Sequence, residues 1–301
     1  DCEGSIPDIW RNCDGSCDMD ADGDGICDQQ EIAGCMDELA CNFNALAEMN
    51  DNSCVYPGAN GECGSAVCDY ALSVTFDGHE YPLVAIGDQC WFQENLQNTH
   101  YANGDEILTQ VQPIPNSNFR VGARSVLDNN EANASVYGRR YNWNAVVDHR
   151  GLCPTGWHPA TFNEWNEMLD LYGGTTAAGP AIKAVGVWSN ATNASGFTLL
   201  PGGEYLDGSL NLHGVSQWTS TSNSGPKACK FTVGNSDPFV QPGCNHYRRV
   251  HRSVRCIKGA FPAEIGCADP EACNYNPAAN PDADWLEAEY GAAIHTKLCY
   301  Y

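Results

Sequence analysis

The chain is short of positive charge. Fifteen lysines and arginines face 38 aspartates and glutamates in 301 residues, a formal net charge of -23 with a pI near 4.4. Nucleic acid and anionic membrane are disfavoured as partners, because the field of the whole molecule repels both. Acidity of this kind suits cation binding, or simple solubility of a secreted protein. No apolar run is long enough to span a bilayer. No initiator methionine or signal-like apolar segment stands at Asp1, which reads as a mature terminus left after export and removal of a signal peptide. Catalytic patterns are also missing: there is no nucleophile elbow and no HExxH, and the eight histidines scatter without metal spacing. The expectation is a protein that is not an enzyme.

Cysteine is abundant, and unevenly placed. Nine of the 17 lie before residue 70, in segments poor in aliphatic residues. Small modules replace a core in this way, and the pattern points to an oxidising, extracellular or cell-surface setting. Zinc is disfavoured, since paired two-residue spacings with histidines at ligand distance are missing. Seventeen is odd, so at least one thiol is free or pairs outside the chain.

Among these cysteines runs DMDADGDGICDQQE, in which Asp20, Asp22, Asp24, Asp28 and Glu31 occupy positions one, three, five, nine and twelve of an EF-type calcium loop. The carbonyl of Ile26 serves position seven and Gly25 permits the sharp turn. Five acids this close repel one another unless a cation sits among them. No helix signal precedes the loop, so it is not a sensor. With Cys17, Cys27 and Cys35 interleaved, it resembles the calcium-binding repeats of the thrombospondin type 3 class, in which calcium stiffens a linker.

An internal repeat follows. Cys35, Cys41, Asn42, Asn44 and Cys54 align with Cys267, Cys273, Asn274, Asn276 and, after an insertion of about a dozen residues, Cys299. Both copies resemble short cysteine modules of secreted and surface proteins of Bacteroidetes-type bacteria. The insertion, which begins at Trp285, is either a contact surface or a lengthened solvated loop.

Between the copies, the strongest signal is a helix. Thr161 is an N-cap, Glu164 completes a capping box, and Phe162, Trp165, Met168, Leu169 and Tyr172 form one stripe before Gly173-Gly174 stops it. A helix of about three turns cannot stand alone in water, so the stripe must lie on a sheet. Hairpin signals at Asp77-Gly78 and Gly87-Asp88 begin that sheet. A second short helix is read over Ala177 to Val187, and PGGEYLDG as a turn-rich crossing. Strands over Ser216 to Thr221, Lys227 to Val233 and Arg252 to Ile257 end it. Helices early and strands late give an α+β domain. The organisation is 1–33, a Cys-rich segment with the calcium loop; 34–71, a cysteine module; 72–259, the central domain; and 260–301, a second module.

The central motifs are IGDQCWFQENL from Ile86, YGRRYNW from Tyr137, GLCPTGWHPATFNEW from Gly151, SGFTLLPGG from Ser195, WTSTS from Trp218 and SVRCI from Ser253. In this order they resemble the Fibrobacter succinogenes major paralogous domain. The resemblance implies a secreted or surface bacterial protein and a C-type lectin-like fold, shared distantly with formylglycine-generating enzymes. It further implies a long-range disulfide between Cys153 and Cys256, with Cys229 and Cys244 closing a loop nearby, and leaves Cys90 over as a buried thiol or an intermolecular bridge. It implies no known reaction. The calcium-dependent sugar motifs of lectins, Glu-Pro-Asn and Trp-Asn-Asp, are missing. Stacking of a sugar on Trp143, Trp188 or Trp218 stays open against their burial.

One basic cluster stands out on the acidic chain: Arg248, Arg249 and Arg252. It either meets an acidic patch on another copy or a surface polymer, or pairs with carboxylates of its own domain. The leading expectation is a calcium-stiffened, disulfide-bonded adhesin or fibre subunit whose partners are proteins, copies of itself included. A glycan-binding protein is the alternative, and an enzyme of formylglycine-generating type the last.

Overall fold

The computed structural model describes residues 19, 26–28, 30–58, 61–110, 121–206, 209–211, 214–222 and 227–259. It divides into two units between Leu72 and Ser73. Asp20, Asp22, Asp24, Cys267, Cys273, Trp285 and Cys299, and with them the second cysteine module, lie outside the described residues.

The first unit is held by covalent bonds and polar turns rather than by a core. Among its described residues, the regular structure is one short parallel pair, β1 (Ala33–Gly34) with β2 (Met49–Asn50), and a 3-10 turn at Ala66–Cys68. Cys35 is bonded to Cys54 and Cys41 to Cys63, while Cys27 and Cys68 are disulfide-bonded as well. The repeated polar residues make the turns. Asn42 accepts from Val55 N at 2.8 Å and donates to Ser53 O at 2.7 Å, and Asn44 accepts from Leu46 N at 3.0 Å. Asp37 accepts from Leu39 N at 2.9 Å and from the Tyr56 hydroxyl at 2.8 Å. Short side chains that bond to nearby backbone in this way fix a loop without burying apolar surface.

The second unit opens on a meander of β3 (Ser73–Phe76), β4 (His79–Ile86) and β5 (Gln89–Phe92). Both turns have two residues. Asp77 and Gly78 both take positive φ, the type I′ pattern, whereas in the second turn Gly87 alone does, the type II′ pattern. The chain then runs through β6 (Leu108–Thr109), β7 (Ala123–Ser125), α1 (Ala134–Tyr137), β8 (Arg140–Tyr141) and α2 (Trp143–Val146). After β9 (Trp157–Pro159) come α3 (Phe162–Asp170) and α4 (Gly179–Ile182). Last are β10 (Glu204–Leu206), β11 (Ser209–Asn211), β12 (Gly214–Ser222), β13 (Lys227–Gly234), β14 (Val240–Tyr247), β15 (His251–Arg252) and β16 (Cys256–Lys258).

Three sheets result, in the orders β3-β4-β5-β16-β9, β11-β10-β15-β8-β7-β6 and β12-β13-β14. The first joins the beginning of the unit to its end: Ile257 of β16 stands opposite Trp91 on one side and His158 on the other. The mixed architecture, mostly sheet, is α+β. Side chains alternate across a strand, so β5 and β16 each feed two cores. Phe92 and Cys256 enter the one around Tyr81, Tyr101, Tyr141 and Trp143. Trp91 and Ile257 enter the other, with Trp165, Phe197 and Phe231.

The α3 helix begins where its cap predicts. Thr161 Oγ1 accepts from Glu164 N, and the Glu164 carboxylate accepts from Thr161 N at 2.7 Å. Its stripe reaches the second core, where Trp165 meets Trp91, Phe197 and Phe231 with ring centroids 5.2 to 5.6 Å apart.

Elsewhere the elements differ from the sequence reading. The second helix is confined to four residues, Gly179–Ile182. Within PGGEYLDG, Glu204–Leu206 form the first strand of a hairpin, β10 with β11. The last strand is split into β15 and β16, which serve different sheets. Strand β14, which the sequence reading did not assign, contains Pro242-Gly243; it is an edge strand, where the N–H that proline lacks is not needed by a further neighbour.

Candidate functional site

The family-type motifs converge on Asn95. Its carboxamide oxygen accepts from Arg255 Nε at 2.8 Å and from Gln217 Nε2 at 2.9 Å, and its nitrogen donates to Tyr137 O at 2.9 Å. Arg255 reaches further. Its two terminal nitrogens donate to Phe92 O at 2.9 Å, Phe197 O at 2.8 Å and Thr198 O at 3.1 Å, and its guanidinium carbon lies 4.3 Å from the Phe197 ring centroid. Backbone carbonyls thus satisfy a guanidinium that is 1 % exposed. Burial pushes Arg255 down to about 9, with Glu94 opposing the shift, so the group is still a cation at neutral pH. Gly138 completes the knot: its φ is +74°, and a Cβ there would fall 2.5 Å from Asn95 Cβ.

Four of the six motifs therefore meet in a buried polar knot. Asn95 comes from the first, Tyr137 and Gly138 from the second, Phe197 and Thr198 from SGFTLLPGG, and Arg255 from SVRCI. Helix α3 is tied in separately. His158 is buried, with one ring nitrogen 2.9 Å from the Glu164 carboxylate and the other 3.1 Å from Gly259 O. The Glu164 carboxyl is raised by burial but pulled lower still by His158 and Thr161, so its net shift is downward. Both nitrogens of His158 are engaged with acceptors, which suits packing rather than proton transfer. The role of Asn95 was missed in the sequence, where it stands among other polar residues, Gln93, Glu94, Gln97 and Asn98.

The basic cluster divides. Arg252 is buried at 2 % exposure, with both Nε and Nη2 3.0 Å from Glu204 Oε2, and burial lowers it to about 10 against the opposing pull of Glu204. As a surface contact Arg252 is corrected: its place on β15, between β10 and β8, turns it inward. Arg248 and Arg249 lie on the turn between β14 and β15 and are half-buried. The Arg248 guanidinium stacks over Trp143, 4.2 Å from the ring centroid, and that of Arg249 lies 5.0 Å from the centroid of Tyr247, which is 51 % exposed. The turn is therefore a cationic and aromatic tip, braced from below by a buried tryptophan whose Nε1 donates to Thr219 O at 3.1 Å. Six of the chain's few cations, Arg124, Arg139, Arg140, Lys183, Arg252 and Arg255, are buried. The outer surface is correspondingly poor in positive charge, and the tip is the more distinct for it.

The comparison with protein families decides the class. The Fibrobacter succinogenes major domain model matches residues 84–258, more than half of the chain. The chain belongs to that family. The comparisons with curated proteins and with solved structures found no match.

In this Fibrobacter succinogenes major domain, Cys153 is bonded to Cys256 and Cys229 to Cys244. Cys90 is disulfide-bonded too, which corrects the expectation of a leftover thiol there. Disulfides in both units indicate an oxidising environment. Trp143 and Trp188 are buried and cannot offer a face to a sugar. Among the described residues no helix is long and apolar enough to cross a membrane, and no cluster of metal-type ligands is found. Of the calcium-loop residues, Ile26, Asp28 and Glu31 are described. Asp28 N donates to Met19 O at 3.0 Å.

Proposed function

We propose that the protein is a non-enzymatic extracellular contact protein, whose lectin-like central domain engages an acidic partner through the Tyr247–Arg249 turn. The observation that carries this reading is the division of labour among polar residues. The motif residues Asn95, Tyr137, Arg255 and their neighbours are consumed in the buried knot, while the exposed Tyr247 carries the Arg249 guanidinium over its ring. Tyrosine and arginine are the residue types that dominate contact energetics. A partner of opposite charge is on hand in the chain itself, at -23, so head-to-tail contact between copies is the assembly this reading favours; contacts between different patches leave open ends and yield filaments.

Calcium is part of the proposal. Asp20, Asp22, Asp24, Asp28 and Glu31, with the Ile26 carbonyl, would hold it, and its charge would neutralise the loop and stiffen the arm next to the cysteine module. The modules would then serve as spacers, the second one with its Trp285 insertion as a further contact.

Electron microscopy of the full chain, with calcium and with chelator, tests the assembly. Ordered fibres that disperse in chelator, and that fail to form with Arg248→Ser and Arg249→Ser together, support it. Uniform monomers under every condition overturn it and turn attention to a separate acidic partner.

A further inference from the structure

We propose that the first cysteine module carries a docking patch, made of Met36, Leu39 and Tyr56 around the Asp37 carboxylate, and that its occupant is the Tyr247–Arg249 turn of a second copy of the chain. The proposal rests on the reading of that turn as a contact element, and it names the surface the turn meets.

One carboxylate assembles the patch. Asp37 Oδ1 accepts from Leu39 N at 2.9 Å and Asp37 Oδ2 from the Tyr56 hydroxyl at 2.8 Å, which brings the Cys35 to Cys41 turn and the stretch beyond Cys54 to one place. Both stretches are fixed. Cys41 N donates to Val55 O at 2.7 Å, and the Cys35–Cys54 and Cys41–Cys63 disulfides hold the backbone on either side, so docking has little chain left to order. The apolar side chains nevertheless point outward: Leu39 is 77 % exposed, Tyr56 56 % and Met36 47 %.

The module does not need these residues for its own turn. Cys35 to Cys41 aligns with Cys267 to Cys273 of the repeat, and there the aspartate recurs as Asp269 while Ala268 stands for Met36 and Glu271 for Leu39. Methionine and leucine are additions to the shared pattern. Aliphatic side chains left in water beside a fixed tyrosine are what a contact surface offers.

Charge selects the occupant. The first 72 residues hold sixteen aspartates and glutamates against a single basic residue, Arg11. Glu38 is exposed next to Asp37, and the Leu39 N–H, then the Tyr56 hydroxyl, hold the Asp37 carboxyl below the usual range, so it is an anion at neutral pH. The complement is a guanidinium carried on an aromatic ring. The turn supplies it, with Arg249 over Tyr247 and Arg248 over Trp143. Its ring meets Leu39 and Met36 while its guanidinium groups meet Asp37 and Glu38, in the planar pairing that arginine makes with carboxylates. Turn and patch are different surfaces, so every added copy leaves one of each open.

Sedimentation velocity of the full chain in calcium tests this. Met36→Ala with Leu39→Glu, which places in the first module the residues the second one carries, is expected to raise the concentration needed for assembly about tenfold or more, as is Arg248→Ser with Arg249→Ser. Mixed one to one, the two variants should form dimers that grow no further, because one brings the intact turn and the other the intact patch. A Met36→Ala, Leu39→Glu variant that assembles as wild type does, while the arginine variant fails to, overturns the patch and leaves the turn standing as a contact element. A mixture that stays monomeric overturns the patch as well. Wild-type chain that is monomeric at every concentration overturns both the patch and the self-assembly on which it rests.

Discussion

At the scale of single residues, the interior holds groups whose charge is set by their surroundings. His251 is buried beside Arg140 and Arg252 and lies 2.8 Å from Gln110 Oε1. Burial, then the Arg140 and Arg252 charges, lower it from 6.5 to about 3, a backbone hydrogen bond to Arg140 opposing them. The native ring thus stays neutral where the unfolded one takes up a proton, so stability falls as pH drops below 6.5 and is indifferent to His251 above it. Between pH 7 and pH 5 the predicted loss from this residue is about 2 kcal/mol. Urea unfolding at the two pH values checks it. The loss should vanish in His251→Gln, which keeps a donor for Gln110; an equal loss in the variant refutes the assignment. The sequence could not reveal this, because the burial of His251 depends on β15 being enclosed between β10 and β8.

At the scale of elements, α3 was legible to its first residue because capping is local chemistry. Its Thr161 does double work, accepting from Glu164 N and donating to Glu164 Oε2 at 2.8 Å. Thr161→Ala is expected to cost about 1–2 kcal/mol, read as a shift in the urea midpoint with an unchanged m-value. A shift below a few tenths of that would mean that His158 alone holds Glu164. The two opening hairpins were legible for the same local reason, through Asp77-Gly78 and Gly87-Asp88. Strand β14 was not, since the effect of Pro242 depends on whether a neighbour needs its N–H, and edge position is a property of the sheet. The split of the last strand between two sheets is likewise set by tertiary pairing.

At the scale of the whole molecule, the ends of the central domain meet. Strand β16 lies between β5 and β9, and the Cys153–Cys256 disulfide closes a loop of 103 residues. Replacing both cysteines by alanine is expected to remove about 3–5 kcal/mol, since a loop this long gives the unfolded chain much freedom to regain. Thermal unfolding of that variant against wild type, without reductant, measures it. Charge at this scale was plain in the sequence, but its distribution was not: six cations are withdrawn into the interior. The family motifs were equally plain, and their role was hidden, because Asn95 and Arg255 are 160 residues apart in sequence.

The central claim is that the motif residues build the interior and leave contact to the Tyr247–Arg249 turn. Urea unfolding of Asn95→Ala beside Arg249→Ser tests it most directly. Asn95→Ala strands a buried guanidinium and an amide, and should lose about 3 kcal/mol. Arg249→Ser should stay within about 1 kcal/mol of wild type, as a half-buried cation–π contact at the surface warrants, while losing partner binding. An Asn95→Ala variant as stable as wild type, or an Arg249→Ser variant that unfolds as readily as Asn95→Ala, would contradict the account.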